Sequence, residues 1–152
     1  VITTLIAVLG TLAGAVVAGF MQHLTATRTA RSAAAERRRQ ALAEAIPALL
    51  AGLARHREQQ YLKIVARREG QPDTAEARQT RYAARTAVTS AMDSLFMATQ
   101  DRALLAVAQE AVDAAMALGD VPEAELDAAG LQARKAHTAL RESAASFVYD
   151  YR

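Results

Sequence analysis

Three histidines and a few closely spaced carboxylates are the residues of this 152-residue chain best suited to hold a metal ion or move a proton. His23, His56 and His137 stand far apart. A metal site on one helix needs a second ligand a turn away, and positions 133 and 141 beside His137 are Ala and Arg. His137 lies on an apolar stripe and reads as a packed core histidine, while His56 sits in a polar stretch and His23 beside a long apolar run. Glu110 with Asp113, and Glu123 with Asp127, share a helix face. On acidic amphipathic helices such pairs form solvated surface rather than a di-metal site. There is no phosphate-cradling Gly loop, no GxSxG elbow and no HExxH. The absence of Cys excludes disulfides, thiolate zinc and thiol catalysis. The expectation is a protein without enzymatic activity, catalytic residues, metal or cofactor.

Two other spacings point to association. Gly10-x3-Gly14-x3-Ala18 aligns small residues on one helix face, with Ala7 a step before it and Ala15-x3-Gly19 alongside. In lipid, such a face lets two helix backbones approach closely, so Ala7, Gly10, Gly14, Ala15, Ala18 and Gly19 are expected to form an oligomerisation face. Directly after it come Arg28, Arg31, Arg37, Arg38 and Arg39, opposed by Glu36. Close to an anionic membrane each such charge is worth about 1 kcal/mol. No aromatic residue interleaves with these arginines, so there is no base-stacking platform and direct nucleic-acid binding is not expected.

The element that must carry the small-residue face is residues 1–24, which hold no Asp, Glu, Lys or Arg. As a helix they would extend ~36 Å at ~1.5 Å per residue, enough for a hydrocarbon core of ~30 Å. Nothing basic precedes the run, and it exceeds the apolar core of a signal peptide, so a retained single-span anchor is expected. The arginines behind it place its N-terminus outside and residues 25–152 in the cytoplasm, at the cell membrane.

Beyond the run, composition argues for helices. The chain is 52% hydrophobic but only 5% aromatic, and much of the apolar content is Ala, so close helix packing must replace a large core. Three Pro, seven Gly and the lack of alternating Val/Ile/Thr patterns leave no basis for strands. Net charge is +2, but residues 25–90 carry 13 Lys/Arg against 6 Asp/Glu, whereas residues 91–152 carry 5 against 10. A basic, membrane-near half and an acidic, distal half are expected to face each other, an opposition that fits packing within one bundle or lateral assembly of copies.

The expected class is all-α: an N-terminal transmembrane helix over 1–24, a basic juxtamembrane helical stalk over 25–41, and a three-helix bundle over 42–152. The bundle's helices are placed at about 42–68, 74–118 and 122–151, running up, down and up. The first carries Leu42, Ile46, Leu49, Leu53, Arg57, Tyr61 and Ile64, with Pro47 expected to kink or restart it. It ends at Gly70-Gln71-Pro72, with Gly70 suited to a left-handed cap. Asp73, with Glu76 three residues on, is expected to cap the second. Its stripe is Val88, Met92, Leu95, Thr99, Leu104 or Leu105, Ala108, Val112 and Met116. Thr99-Gln100-Asp101 is the one place a break could fall, yet no Gly or Pro supports it. Gly119 ends this helix and Asp120 caps the third, whose stripe is Leu126, Gly130, Ala133, His137, Leu140, Ala144, Phe147 and Tyr151.

The layout resembles the small KilB-type spread proteins of conjugative plasmids and integrated elements in filamentous actinobacteria. The pieces that carry the resemblance are IAVLGTLAGAVVAGFMQH, TARSAAAERRRQALAEAI and RYAARTAVTSAM. It implies a membrane-associated homo-oligomer that helps plasmid DNA pass between mycelial compartments, with a DNA translocase as partner and no catalytic residues. Two other classes fit the same residues: a holin-like or pore-forming membrane protein, and a membrane tether or stalk for a cytoplasmic partner.

Overall fold

A computed structural model describes the backbone of residues 2–149 and the side chains of residues 20–146 except residue 24. The described residues are helical, with no strand among them. The chain divides into two compact units, residues 1–39 and 40–152.

Helix α1, Ile2–Arg68, contributes to both units. In the first unit the described side chains of residues 20–39 are exposed apart from Thr27. Along this polar stretch the hydroxyls fold back onto the preceding turn: Thr25 donates to the Met21 carbonyl at 2.8 Å, Thr27 to His23 at 2.7 Å and Thr29 to Thr25 at 2.9 Å. Among the described residues no helix is long and apolar enough to cross a membrane, because the described part of this segment is rich in Arg, Thr and Ala. The transmembrane helix expected over residues 1–24 is thus not supported by them. Its small-residue face, Ala7 to Gly19, consists of side chains outside the described residues.

The second unit comprises the α1 segment from residue 40 with α2 (Ala75–Ala98), α3 (Arg102–Ala117), a 3-10 turn (Glu123–Glu125) and α4 (Leu126–Tyr149). Helix α1 passes through Pro47 without a restart. It ends as its sequence foretells: Gly70 adopts φ 68°, and Gln71 N–H donates to the Ala66 carbonyl at 2.8 Å, closing a Schellman turn.

The helix expected over 74–118 is two helices. Asp101 caps α3 by accepting from Leu104 N–H at 2.9 Å, and the Thr99 hydroxyl accepts from Asp101 N–H at 3.1 Å. These side chains satisfy amides that a continuous helix would have paired internally, so no Gly or Pro is needed. The break also reverses the chain. Val88 of α2 packs beside Gly52 of α1, and Asp73 feels the charge of Lys63. On α3, the Ala115 backbone lies by His56, and Gly119 just beyond the helix meets Gln60. Thus α2 runs antiparallel to α1 and α3 runs parallel to it. On α4, Ala133 accepts from Arg57, while Glu123 in the preceding turn binds Arg67 and Arg68, so α4 is antiparallel to α1. The expected up-down-up bundle is an up-down-up-down bundle of four helices.

Its core is an alanine seam studded with a few large side chains. Leu49, Leu53, Val88, Leu95, Leu104 and Leu140 are fully buried, with Ala91, Ala108, Ala111, Ala115, Ala136 and Ala144 between them. Alanine lets backbones approach, so the alanines take the innermost positions, and Met92, Val112 and Met116, expected there, pack partly buried on the flanks. On α1 the buried row runs Ile46, Leu49, Leu53, His56, Gln60, replacing the expected Arg57 and Tyr61, the latter 63% exposed.

Two caps also differ. Thr74, not Asp73, caps α2 by accepting from Ala77 N–H at 3.1 Å. Asp73 instead binds Arg81 through both carboxylate oxygens at 2.6 and 2.7 Å. Asp120 caps nothing, since Pro122 precedes the 3-10 turn without a side-chain cap bond.

Candidate functional site

The arginine stretch supplies one candidate surface. Arg28, Arg31, Arg37, Arg38 and Arg39 are all exposed, and Arg39 pairs with Glu36 at 3.7 Å. Arg37 also donates from Nε to the Ala33 carbonyl at 3.3 Å. Five guanidinium groups on one short helical stretch can meet anionic headgroups.

The carboxylate pairs lie on the surface, as solvated side chains with different partners. Glu110 and Asp113 are both exposed, and Asp113 accepts from Gln109 at 2.8 Å. Glu123 is held by Arg67 and Arg68, each at 2.6 Å, and these contacts, with Arg68 foremost, keep its carboxyl below the usual range. Asp127 faces a cleft with different neighbours. Among the described residues no group of three or more His, Asp or Glu is placed to hold a metal ion.

Two of the histidines are structural in a way the sequence only half conveys. His56 is 2% exposed, and its Nε2 lies 3.5 Å from Nε2 of Gln60, itself 8% exposed. Burial, then the nearby Arg85, pushes the His56 imidazole below its ordinary pKa, and a hydrogen bond with the Ala115 backbone pulls the other way. His137, half-buried on α4, is lowered by burial and then by Arg57 and Arg141. His56 Nδ1, His137 Nδ1 and Gln60 Oε1 are buried without hydrogen-bond partners.

Beside this polar inset, α1 and α4 diverge around a cleft of about 540 Å³. Arg57, Gln60, Tyr61, Ile64 and Arg68 come from α1, and Leu126, Asp127, Gly130 and Arg134 from α4. Gly130 opens the α4 wall, and Arg134 Nη1 lies 3.6 Å from where a Cβ on Gly130 would sit. Arg57 is partly buried, and burial, then Arg134, lowers its pKa from the ordinary guanidinium value. The cleft has no local sequence signature, because Arg57 and Arg134 come together only through long-range packing.

The family match falls on the bundle. The family described as KilB plasmid transfer protein matches residues 43–148. Protein KilB of Streptomyces lividans is 42% identical over 96 residues, which is 62% of this chain and 63% of that relative. No solved structure matches. The chain belongs to the KilB plasmid transfer protein family.

Proposed function

Taking that family membership as the premise, we propose that this protein assists the spread of conjugative plasmid DNA as a non-enzymatic, membrane-anchored helical protein working in a self-associated assembly. The observation that carries the plasmid role is the family match over the four-helix bundle, residues 43–148. Anchoring is supported by the uncharged run over residues 1–24 and the exposed arginines from Arg28 to Arg39. Self-association is supported by the Gly10, Gly14, Ala18 spacing within that run. The bundle's part is then to present helical surfaces to a DNA-translocating partner at the membrane.

The direct test is complementation. A strain whose plasmid lacks this gene receives the wild-type chain, the chain without residues 1–24, or Gly14→Ile, and plasmid spread through the mycelium is scored. Wild type should restore spread, while the shortened chain should remain unattached to membranes and fail. Gly14→Ile should stay in the membrane yet form fewer crosslinked oligomers. Full spread by the shortened chain would remove anchoring from the mechanism.

A further inference from the structure

The cleft between α1 and α4 holds two guanidinium groups that the bundle does not neutralise. Arg57 donates to the Ala133 carbonyl at 3.3 Å, and neither Arg57 nor Arg134 has an ion pair among the described residues. Arg68, on the same wall, is different, because Glu123 already binds it. Two like charges brought together by separate helices, one of them partly buried, raise the energy of the fold unless an anion joins them. Glu58 and Asp127 also line the cleft; both are exposed, and among the described residues neither forms an ion pair with either arginine. Gln60, 8% exposed, is a further lining residue.

We propose that this cleft binds a single phosphate group carried on an apolar body, held between Arg57 of α1 and Arg134 of α4. A carboxylate can bridge two guanidinium groups, as Glu123 does for Arg67 and Arg68, but it brings one negative charge to two positive ones, whereas a phosphate monoester brings up to two, on oxygens pointing in several directions. Ile64, Leu118, Leu126 and the ring of Tyr61 supply apolar walls for the rest of the ligand. The carboxylates of Glu58 and Asp127 disfavour an extended polyanion, so the ligand is a small organic phosphate or a lipid headgroup and not a nucleic-acid strand. This site stands independently of the role in plasmid spread and of membrane anchoring.

Calorimetric titration of the detergent-purified full chain with phenyl phosphate tests it, with benzoate as the singly charged control. Saturable phenyl phosphate binding, tighter than benzoate, is expected, with a loss of about tenfold or more in Arg134→Gln. Arg134 is exposed, so that variant should keep its helical circular dichroism. Arg57→Lys, which keeps the charge and loses the fork, should also weaken binding. Sedimentation with phosphatidic acid vesicles distinguishes the source: Arg134-dependent vesicle binding identifies a lipid headgroup, and Arg134-independent vesicle binding beside Arg134-dependent phenyl phosphate binding identifies a soluble phosphate. Absence of Arg134-dependent binding to both probes, or benzoate binding as tightly as phenyl phosphate, would overturn the proposal.

Discussion

The side-chain oxygen of Gln60 lies 3.1 Å from the point where a Cβ on Gly119 would sit. A glycine two residues past α3 suits this close approach of a buried polar side chain of α1, and Lys63 also meets it by donating to the Gly119 carbonyl at 3.3 Å. Gly119→Ala should destabilise the bundle by about 1 kcal/mol in urea unfolding, because Gln60 must shift within a packed site. Gln60→Ala combined with it should cost less than the sum of the two single changes. Simple additivity would show that the two residues do not press on each other.

The α1 seam offers a sharper contrast. Leu53 is 1% exposed and Tyr61 63% exposed, although both fall on the apolar repeat. Leu53→Ala should cost about 2–5 kcal/mol, whereas Tyr61→Ala should stay within about 0.5 kcal/mol. Equal losses in chemical denaturation would restore the row through Arg57 and Tyr61.

The reversal between α2 and α3 depends on Asp101. Asp101→Ala removes the acceptor for Leu104 N–H and should cost about 1 kcal/mol, while Asp101→Asn should retain most of that stability. Hydrogen exchange should report faster opening at Leu104 in the alanine variant alone. Unchanged exchange would shift the origin of the break to packing.

Acid should weaken the bundle in a defined window. His56 and His137 are both held below the ordinary imidazole value, chiefly by burial, so the unfolded chain takes up protons that the folded chain resists. Their contribution is complete above the unfolded value of about 6.5 and is lost as pH falls through the folded values. The carboxyls of Asp73 and Glu123 are lowered by their arginine partners, so they act in the same direction at lower pH. Tm should therefore fall between about pH 7.5 and about pH 5, and less steeply in His56→Gln. A Tm that rises across that interval would contradict the assignment.

Much of the helical content was legible because apolar residues recur at three- and four-residue spacing and because Gly70-Gln71-Pro72 has one favourable outcome. The inner rows were not, for a specific reason. A reading by hydrophobicity prefers Met92 over Ala91, Val112 over Ala111 and Met116 over Ala115, yet close backbone approach favours the smaller neighbour in each pair. The same preference keeps Tyr61 in the α1 row, with Arg57 as an interruption whose stem can lie on apolar surface, and passes over His56 and Gln60, which are buried. Asp101 carried the signal for the break, but a lone Asp inside an apolar repeat is ambiguous until its partner amide is known. The cleft was illegible because Arg57 and Arg134 are 77 positions apart (134 − 57) and meet only after four helices have folded.

The four-helix count also has a mechanical consequence. With α4 antiparallel to α1, residues 40 and 149 lie at one pole of the bundle, and the turns after α1 and α3 lie at the other. Traction between those two points would peel α4 from α1 one turn at a time, starting at the loaded pole. A three-helix arrangement would take the same pull in shear, with all its contacts resisting together. The reversal at Asp101 thus makes this bundle an element that yields progressively, like a zip, when its two ends are drawn apart.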